Sequence, residues 1–148
     1  MKARTGTQPI RVIIADDHPV IREGLAAIFR SQNDIKVVAE AADGEEACQL
    51  YDQLSPDVLV LGLRMSKKNA LQVVTELMSS PRAPKPRIVV MATYEEEEEV
   101  HRTLSAGARG YVLKAVPPEY IRQAVRRAAG RESQLSSEDC FETCLVAR

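Results

Sequence analysis

Apolar runs of strand length alternate along this chain with amphipathic stretches of helix length. Near-continuous apolar segments at residues 10–15, 35–39, 58–61, 88–92 and 110–113 read as strands buried on both faces, as in a parallel sheet covered by helices. Between them, apolar residues recur at helical spacing. Val20, Leu25, Ile28 and Phe29 mark one helix face, and Ala47, Leu50 and Leu54 a second. Leu71, Val74 and Leu77 mark a third, Val100 and Leu104 a fourth, and Ile121, Val125 and Ala128 a fifth. This alternation predicts βα units wound into an α/β, flavodoxin-like fold, a doubly wound five-stranded parallel sheet.

Turn residues set the boundaries. Asp43-Gly44 forms a turn pair that also caps the second helix. Pro81 stops the third, and residues 79–86, with three prolines, read as a rigid connector. Pro117-Pro118 opens the fifth helix and Gly130 closes it. The expected organisation is a polar tail at 1–9, one domain at 10–130, and a tail at 131–148 in which Ser136-Ser137-Glu138-Asp139 could cap a short helix bearing Cys140, Phe141, Cys144 and Leu145.

Composition narrows the function classes. A chain of 148 residues is long enough to bury roughly two-thirds of its unfolded surface in a single core. With 45% hydrophobic residues and a formal net charge of -1, neither disorder nor bulk attraction to nucleic acid is expected. The start of the chain lacks the apolar core of a signal peptide, and no apolar run is long enough for a membrane span, so a cytoplasmic protein with no membrane partner is expected. Cys48, Cys140 and Cys144 are odd in number and form no CxxC pair, which argues for reduced structural thiols rather than a disulfide framework or a zinc site.

Candidate chemistry gathers where such sheets place it, at the carboxyl ends of the strands. Asp16, Asp17, Gly62, Thr93 and Lys114 all fall there. Singly each has an ordinary structural reading: an acidic pair caps the next helix, a strand-end lysine is solvated, and a threonine hydroxyl completes a turn. Together, at these spacings, they point to one site.

The set Ala15-Asp-Asp-His-Pro19, Ala42-Asp-Gly-Glu45, Leu63-Arg-Met65, Ala92-Thr-Tyr94 and Ala106-Gly-Ala-Arg-Gly-Tyr-Val-Leu-Lys114 resembles the receiver domain of two-component response regulators. Its spelling is most similar to the NarL/FixJ class, whose members usually append a LuxR-type helix-turn-helix. The resemblance covers about residues 10–130 and implies an acidic pocket that binds Mg²⁺ and takes a phosphoryl group on an Asp after the third strand. Gly62 stands at that position here, and glycine has no carboxylate. The resemblance further implies Asp17 as the main side-chain metal ligand with Asp16 beside it, Thr93 and Tyr111 as switch residues, and Lys114 as the phosphate-facing cation.

The departure at Gly62 carries consequences. With one carboxylate fewer, Mg²⁺ should bind weakly and no cofactor should be required. Lys114 must pair with Asp16 or Asp17, or extend to water. The loop Met65-Ser-Lys-Lys-Asn-Ala70 replaces the family's Met-Pro and glycine-rich acidic turn. Lys67 or Lys68 could plug the pocket in place of the metal; the other reading is a solvated basic loop. Asp57 lies at the far end of its strand and Ser66 lacks a base to activate it, so neither replaces the acceptor; Asp16 or Asp17 could in principle be modified, since carboxylates form acyl phosphates.

The functional expectation is a pseudo-receiver, not an enzyme, that works by phosphorylation-independent protein contact. The resemblance places the partner surface on the fourth helix, fifth strand and fifth helix. There the acidic run at residues 95–99, set against Arg122, Arg126 and Arg127, could support a homodimer. Direct nucleic-acid binding is not expected, because the 18 residues after Gly130 are too few for a helix-turn-helix domain. The alternative is the regulatory part of a LuxR-type transcription regulator. A flavodoxin-like enzyme or nucleotide binder fits poorly, since Asp16-Asp17 and no glycine-rich loop follow the first strand.

Overall fold

The structure, a computed structural model, describes residues 8–81, 85–93 and 96–131. The expected helix in the C-terminal tail lies outside the described residues, as do parts of the connector and Tyr94 and Glu95 of the fourth-helix approach.

Five strands and five helices alternate. They are β1 (Ile10–Ala15), α1 (Pro19–Arg30), β2 (Ile35–Ala41), α2 (Gly44–Leu54), β3 (Val58–Gly62), α3 (Ala70–Ser79), β4 (Ile88–Ala92), α4 (Glu97–Ala106), β5 (Gly110–Leu113) and α5 (Pro118–Ala128). The strands are parallel in the order β2-β1-β3-β4-β5, the flavodoxin-like arrangement, with its switch point between β1 and β3.

The two-residue period of each strand sorts its side chains into two cores. Ile10, Val12 and Ile14 join Val58, Val60, Val89, Met91 and Val112 under α1 and α5. Ile13 and Ala15 join Leu59, Leu61, Ile88, Val90 and Ala92 under α2, α3 and α4. All of β3 and β4 is buried, which is why their sequences are unbroken apolar runs.

Helix boundaries follow local chemistry. Asp43 caps α2 by accepting from the Glu46 backbone N–H at 2.8 Å. Asn69 and Gln72 form a reciprocal capping box at α3, which supplies two otherwise unpaired donors with partners. Gly107 closes α4 at φ 129°, where a side chain would be strained.

Two expectations need correction in the helices. Val20 is 80% exposed, because the buried stripe of α1 runs through Ile21, Leu25, Ile28 and Phe29, at i, i+4, i+7 and i+8. Val20 is one position off that stripe and shares its face with exposed Gly24 and Ala27. In α3, Leu71 is only half-buried, and Ala70 and Val73 complete the packed face with Val74 and Leu77.

Candidate functional site

β1 delivers Asp16 and Asp17 to the carboxyl rim of the sheet, beside the end of β3. The Asp16 backbone N–H donates to the Ala41 carbonyl at 3.1 Å. Its side chain, 2% exposed, turns back on the loop. There Oδ1 accepts from the His18 backbone N–H at 2.8 Å and lies 3.1 Å from His18 Nδ1. This is the Asx-turn geometry that aspartate favours just before a helix. Arg22 from α1 donates to the Asp16 carbonyl at 2.6 Å, which fixes the turn from the helix side.

The other oxygen, Asp16 Oδ2, is buried without a hydrogen-bond partner. It lies 3.9 Å from Lys114 Nζ, and it sits directly over Gly62. A Cβ built on Gly62 would stand 2.5 Å from Asp16 Oδ2 and 3.0 Å from its Cγ. Glycine at the end of β3 is what lets this carboxylate occupy that space. Lys114 is anchored by its own backbone, whose N–H donates to the Ala92 carbonyl at 2.8 Å. Of the three options open to its ammonium group, the structure shows the Asp16 pair.

Asp17 is more open, and its Oδ1 lies 3.1 Å from His18 Nδ1. Candidate ligand atoms of Asp16, Asp17 and His18 all fall within 4.8 Å of one another. They are a poor match for Mg²⁺, which demands near-octahedral oxygen coordination. Gly62 contributes no side-chain oxygen, Asp16 Oδ1 is engaged by the His18 N–H, and an ammonium faces Oδ2.

Thr93 is exposed at the end of β4, and its backbone N–H donates to Glu96 Oε1 at 2.8 Å. Glu96 Oε2 is 3.2 Å from Arg64 Nε, and Arg64 Nη2 reaches Glu99 Oε2 at 2.7 Å. Arg64, two residues after Gly62, thus bridges the β3 loop to the start of α4. Sequence reasoning missed this link. The Thr93-x-x-Glu96 spacing, that of a capping box, was a usable signal for half of it. Tyr111 is partly buried against the core that contains Val90 and Ala92.

The two loop lysines are not brought to the acidic pair. Lys67 Nζ lies 3.8 Å from Asp43 Oδ2, and Lys68 Nζ pairs with Glu76 Oε1 at 2.5 Å. The Glu76 carboxylate raises the Lys68 pKa above its ordinary value, chiefly through that hydrogen bond. The reason is the path of the loop, which docks on the start of α2. The Gly44 N–H donates to the Ser66 carbonyl at 3.2 Å, and a Cβ at Gly44 would collide with the Lys68 carbonyl at 1.9 Å. Lys67 takes φ 68°, a left-handed conformation that costs a side-chain-bearing residue roughly 1–2 kcal/mol.

At the opposite end of the sheet, Asp57 Oδ2 accepts from the Arg11 backbone N–H at 2.8 Å, far from the acidic pair as its strand position requires. Arg126 forks onto both Asp34 oxygens at 2.7 and 3.0 Å and also reaches Gln32. It is therefore spent within the chain and unavailable to meet the acidic run of a second copy. Within α4, Glu97 and Glu98 lie near His101 and Arg102 one turn on. Among the described residues, no helix is long and apolar enough to cross a membrane.

The response regulator receiver domain model matches residues 12–126. The chain is 36% identical over 129 residues to the transcriptional regulatory protein LiaR of Bacillus subtilis, covering 87% of this chain and 60% of that protein. Identity and coverage are alike for the nitrate/nitrite response regulator protein NarL of Escherichia coli, at 36%, 87% and 59%. The chain thus spans less than two-thirds of these curated relatives. Among solved structures, it is similar to the signal receiver domain of a Mycobacterium tuberculosis response regulator assigned as NarL (TM-score 0.78, 32% identity, covering 83% of this chain and 98% of that one). It is also similar to a LuxR-family two-component response regulator from Aurantimonas (TM-score 0.77, 30% identity, covering 92% and 95%). On these matches and on its fold, the chain belongs to the response regulator receiver domain family.

Proposed function

We propose that this domain is a pseudo-receiver: a non-enzymatic module of two-component signalling that works through protein contacts without accepting a phosphoryl group on β3. One observation carries the reading. β3 ends in Gly62, and the space that a side chain there would enter is held by Asp16 Oδ2, 2.5 Å from the Cβ position. Attack on a phosphoryl donor needs a nucleophile at that strand end, and glycine offers none. Ser66 is exposed on the docked loop, and Asp57 is committed to the Arg11 N–H at the far end.

The residues of the vestigial pocket are Asp16, Asp17, Thr93 and Lys114, with Thr93 and Tyr111 at the positions of the switch. Mg²⁺ is not required and binds weakly if added, for the donor set described above. The partner surface is the α4, β5 and α5 face, its arrangement set by sequence and by the partner, since only a differential interaction moves such an equilibrium. The regulatory part of a longer LuxR-type transcription regulator is a compatible second reading, favoured by the names of the curated relatives.

The test is incubation with a small acyl phosphate donor and Mg²⁺, followed by intact-mass measurement and hydroxylamine treatment. No hydroxylamine-labile phosphate is expected on the unaltered chain. Its appearance there would overturn the reading, and labelling confined to a Gly62→Asp variant would support it.

A further inference from the structure

We propose that Asp16 is the resident occupant of this pocket: its carboxylate fills the volume above Gly62 and holds Lys114, so the lysine is positioned by the chain itself instead of by an incoming ligand. This rests on the pseudo-receiver reading and goes further, because it assigns a residue to the vacated space.

Three observations support it. Asp16 Oδ2 stands 2.5 Å from the Cβ position of residue 62, a distance that real Cβ atoms essentially never show, and its Cγ stands at a tight 3.0 Å, so a side chain at residue 62 requires the carboxylate to shift. The side chain is 2% exposed and Oδ2 has no hydrogen-bond partner, so the nearby ammonium compensates its charge in a site with little access to water. The remaining contacts point the same way. Oδ1 is tied to the His18 N–H and Arg22 holds the Asp16 carbonyl, which leaves the carboxylate little freedom to rotate elsewhere. The Lys114 side chain is 25% exposed.

Gly62 and Lys114 are thereby coupled through Asp16. Adding only a methyl group at residue 62, with no new charge, should expel the carboxylate and release the lysine. The same methyl should do little once the carboxylate is gone.

The test is a double-mutant cycle on the whole chain with Gly62→Ala and Asp16→Ala, read by urea unfolding. Gly62→Ala alone is expected to lower the unfolding midpoint by about 0.5 M or more, and that loss should fall to less than half in the Asp16→Ala background. If Gly62→Ala alone does not fold, recovery of folding in the double variant gives the same support. Equal losses in both backgrounds, or no loss from Gly62→Ala, would overturn the assignment. A second readout uses lysine labelled with ¹³C at Cε. Gly62→Ala and Asp16→Asn should move the Lys114 resonance in the same direction and leave those of Lys67 and Lys68 in place; an unmoved Lys114 signal in either variant counts against the proposal. Phosphoryl uptake tests the parent reading separately, because the cycle reports where Asp16 sits whether or not the chain is ever phosphorylated.

Discussion

Aspartates stand at both ends of this sheet and are used differently. At the amino end, Asp57 accepts a backbone N–H from Arg11, and Asp34 takes the Arg126 fork on both oxygens. These carboxylates tie adjacent elements together. At the carboxyl end, Asp16 Oδ2 and Asp17 Oδ1 are buried without hydrogen-bond partners; an ammonium lies 3.9 Å from the first and an imidazole nitrogen 3.1 Å from the second. Buried polar atoms are nearly always paired. The unpaired oxygens here lie at the switch point of the doubly wound sheet, where our proposal has Asp16 fill the site from within.

The contrast can be broken most forcefully at Lys114. Lys114→Met leaves the nearly inaccessible Asp16 carboxylate without its cation and should cost about 2–3 kcal/mol of unfolding free energy, below the upper range for buried pairs because the lysine is partly solvated. Equilibrium urea unfolding at neutral pH measures it. Adding Asp16→Asn should recover much of the loss, because a neutral amide needs no counter-charge.

At the amino end the corresponding change should be smaller. Asp57→Ala removes one acceptor from a part-buried N–H and should cost about 1–2 kcal/mol, with no effect on the Lys114 ¹³C signal. A shift at Lys114 would mean that the two ends are not independent.

The smallest effect carries a pH signature. The hydrogen bond from Arg126 holds the Asp34 carboxyl below its ordinary pKa, against the opposing effect of partial burial. A lowered folded-state pKa contributes stability above the unfolded value of about 3.9 that is lost as pH falls through the folded value. Arg126→Met should therefore cost about 0.5–1 kcal/mol at pH 7, a figure kept small because Asp34 is 43% exposed and screened by solvent. The gap between variant and parent should be level above about pH 5 and close below about pH 4. A gap that widens in acid would contradict the assignment.

Much of the fold was legible because β3 and β4 are buried on both faces and so read as unbroken apolar runs. The apolar pattern of β2 stops at Ala39, two residues short of the strand's end at Ala41, because Glu40 interrupts it. That carboxylate instead lies over α1, 3.6 Å from Arg22 and 3.3 Å from Arg30, as an edge strand permits. Val20 misled because one residue on a helix is a turn of about 100°, enough to leave the packed stripe.

The site was legible at the level of position, since Asp16, Asp17, Gly62, Thr93 and Lys114 could be placed at strand ends by topology. Contacts set by side-chain rotamers and loop path were not. Nothing in the spacing of Lys68 and Glu76 across the turn into α3 announces an ion pair, and Arg126 meets Asp34 across 92 residues. The orientation of the Asp16 carboxylate over Gly62 belongs to the same class. It depends on a neighbouring strand, an Asx turn and an arginine from α1 acting together.

The central claim, that the pocket is closed to a phosphoryl group because β3 offers no acceptor and Asp16 fills its place, is most directly tested by fluorine NMR of the unaltered chain titrated with beryllofluoride and Mg²⁺. This account expects only the resonances of the free fluoride species at every concentration. A saturable, protein-bound beryllofluoride resonance that requires Mg²⁺ would contradict it.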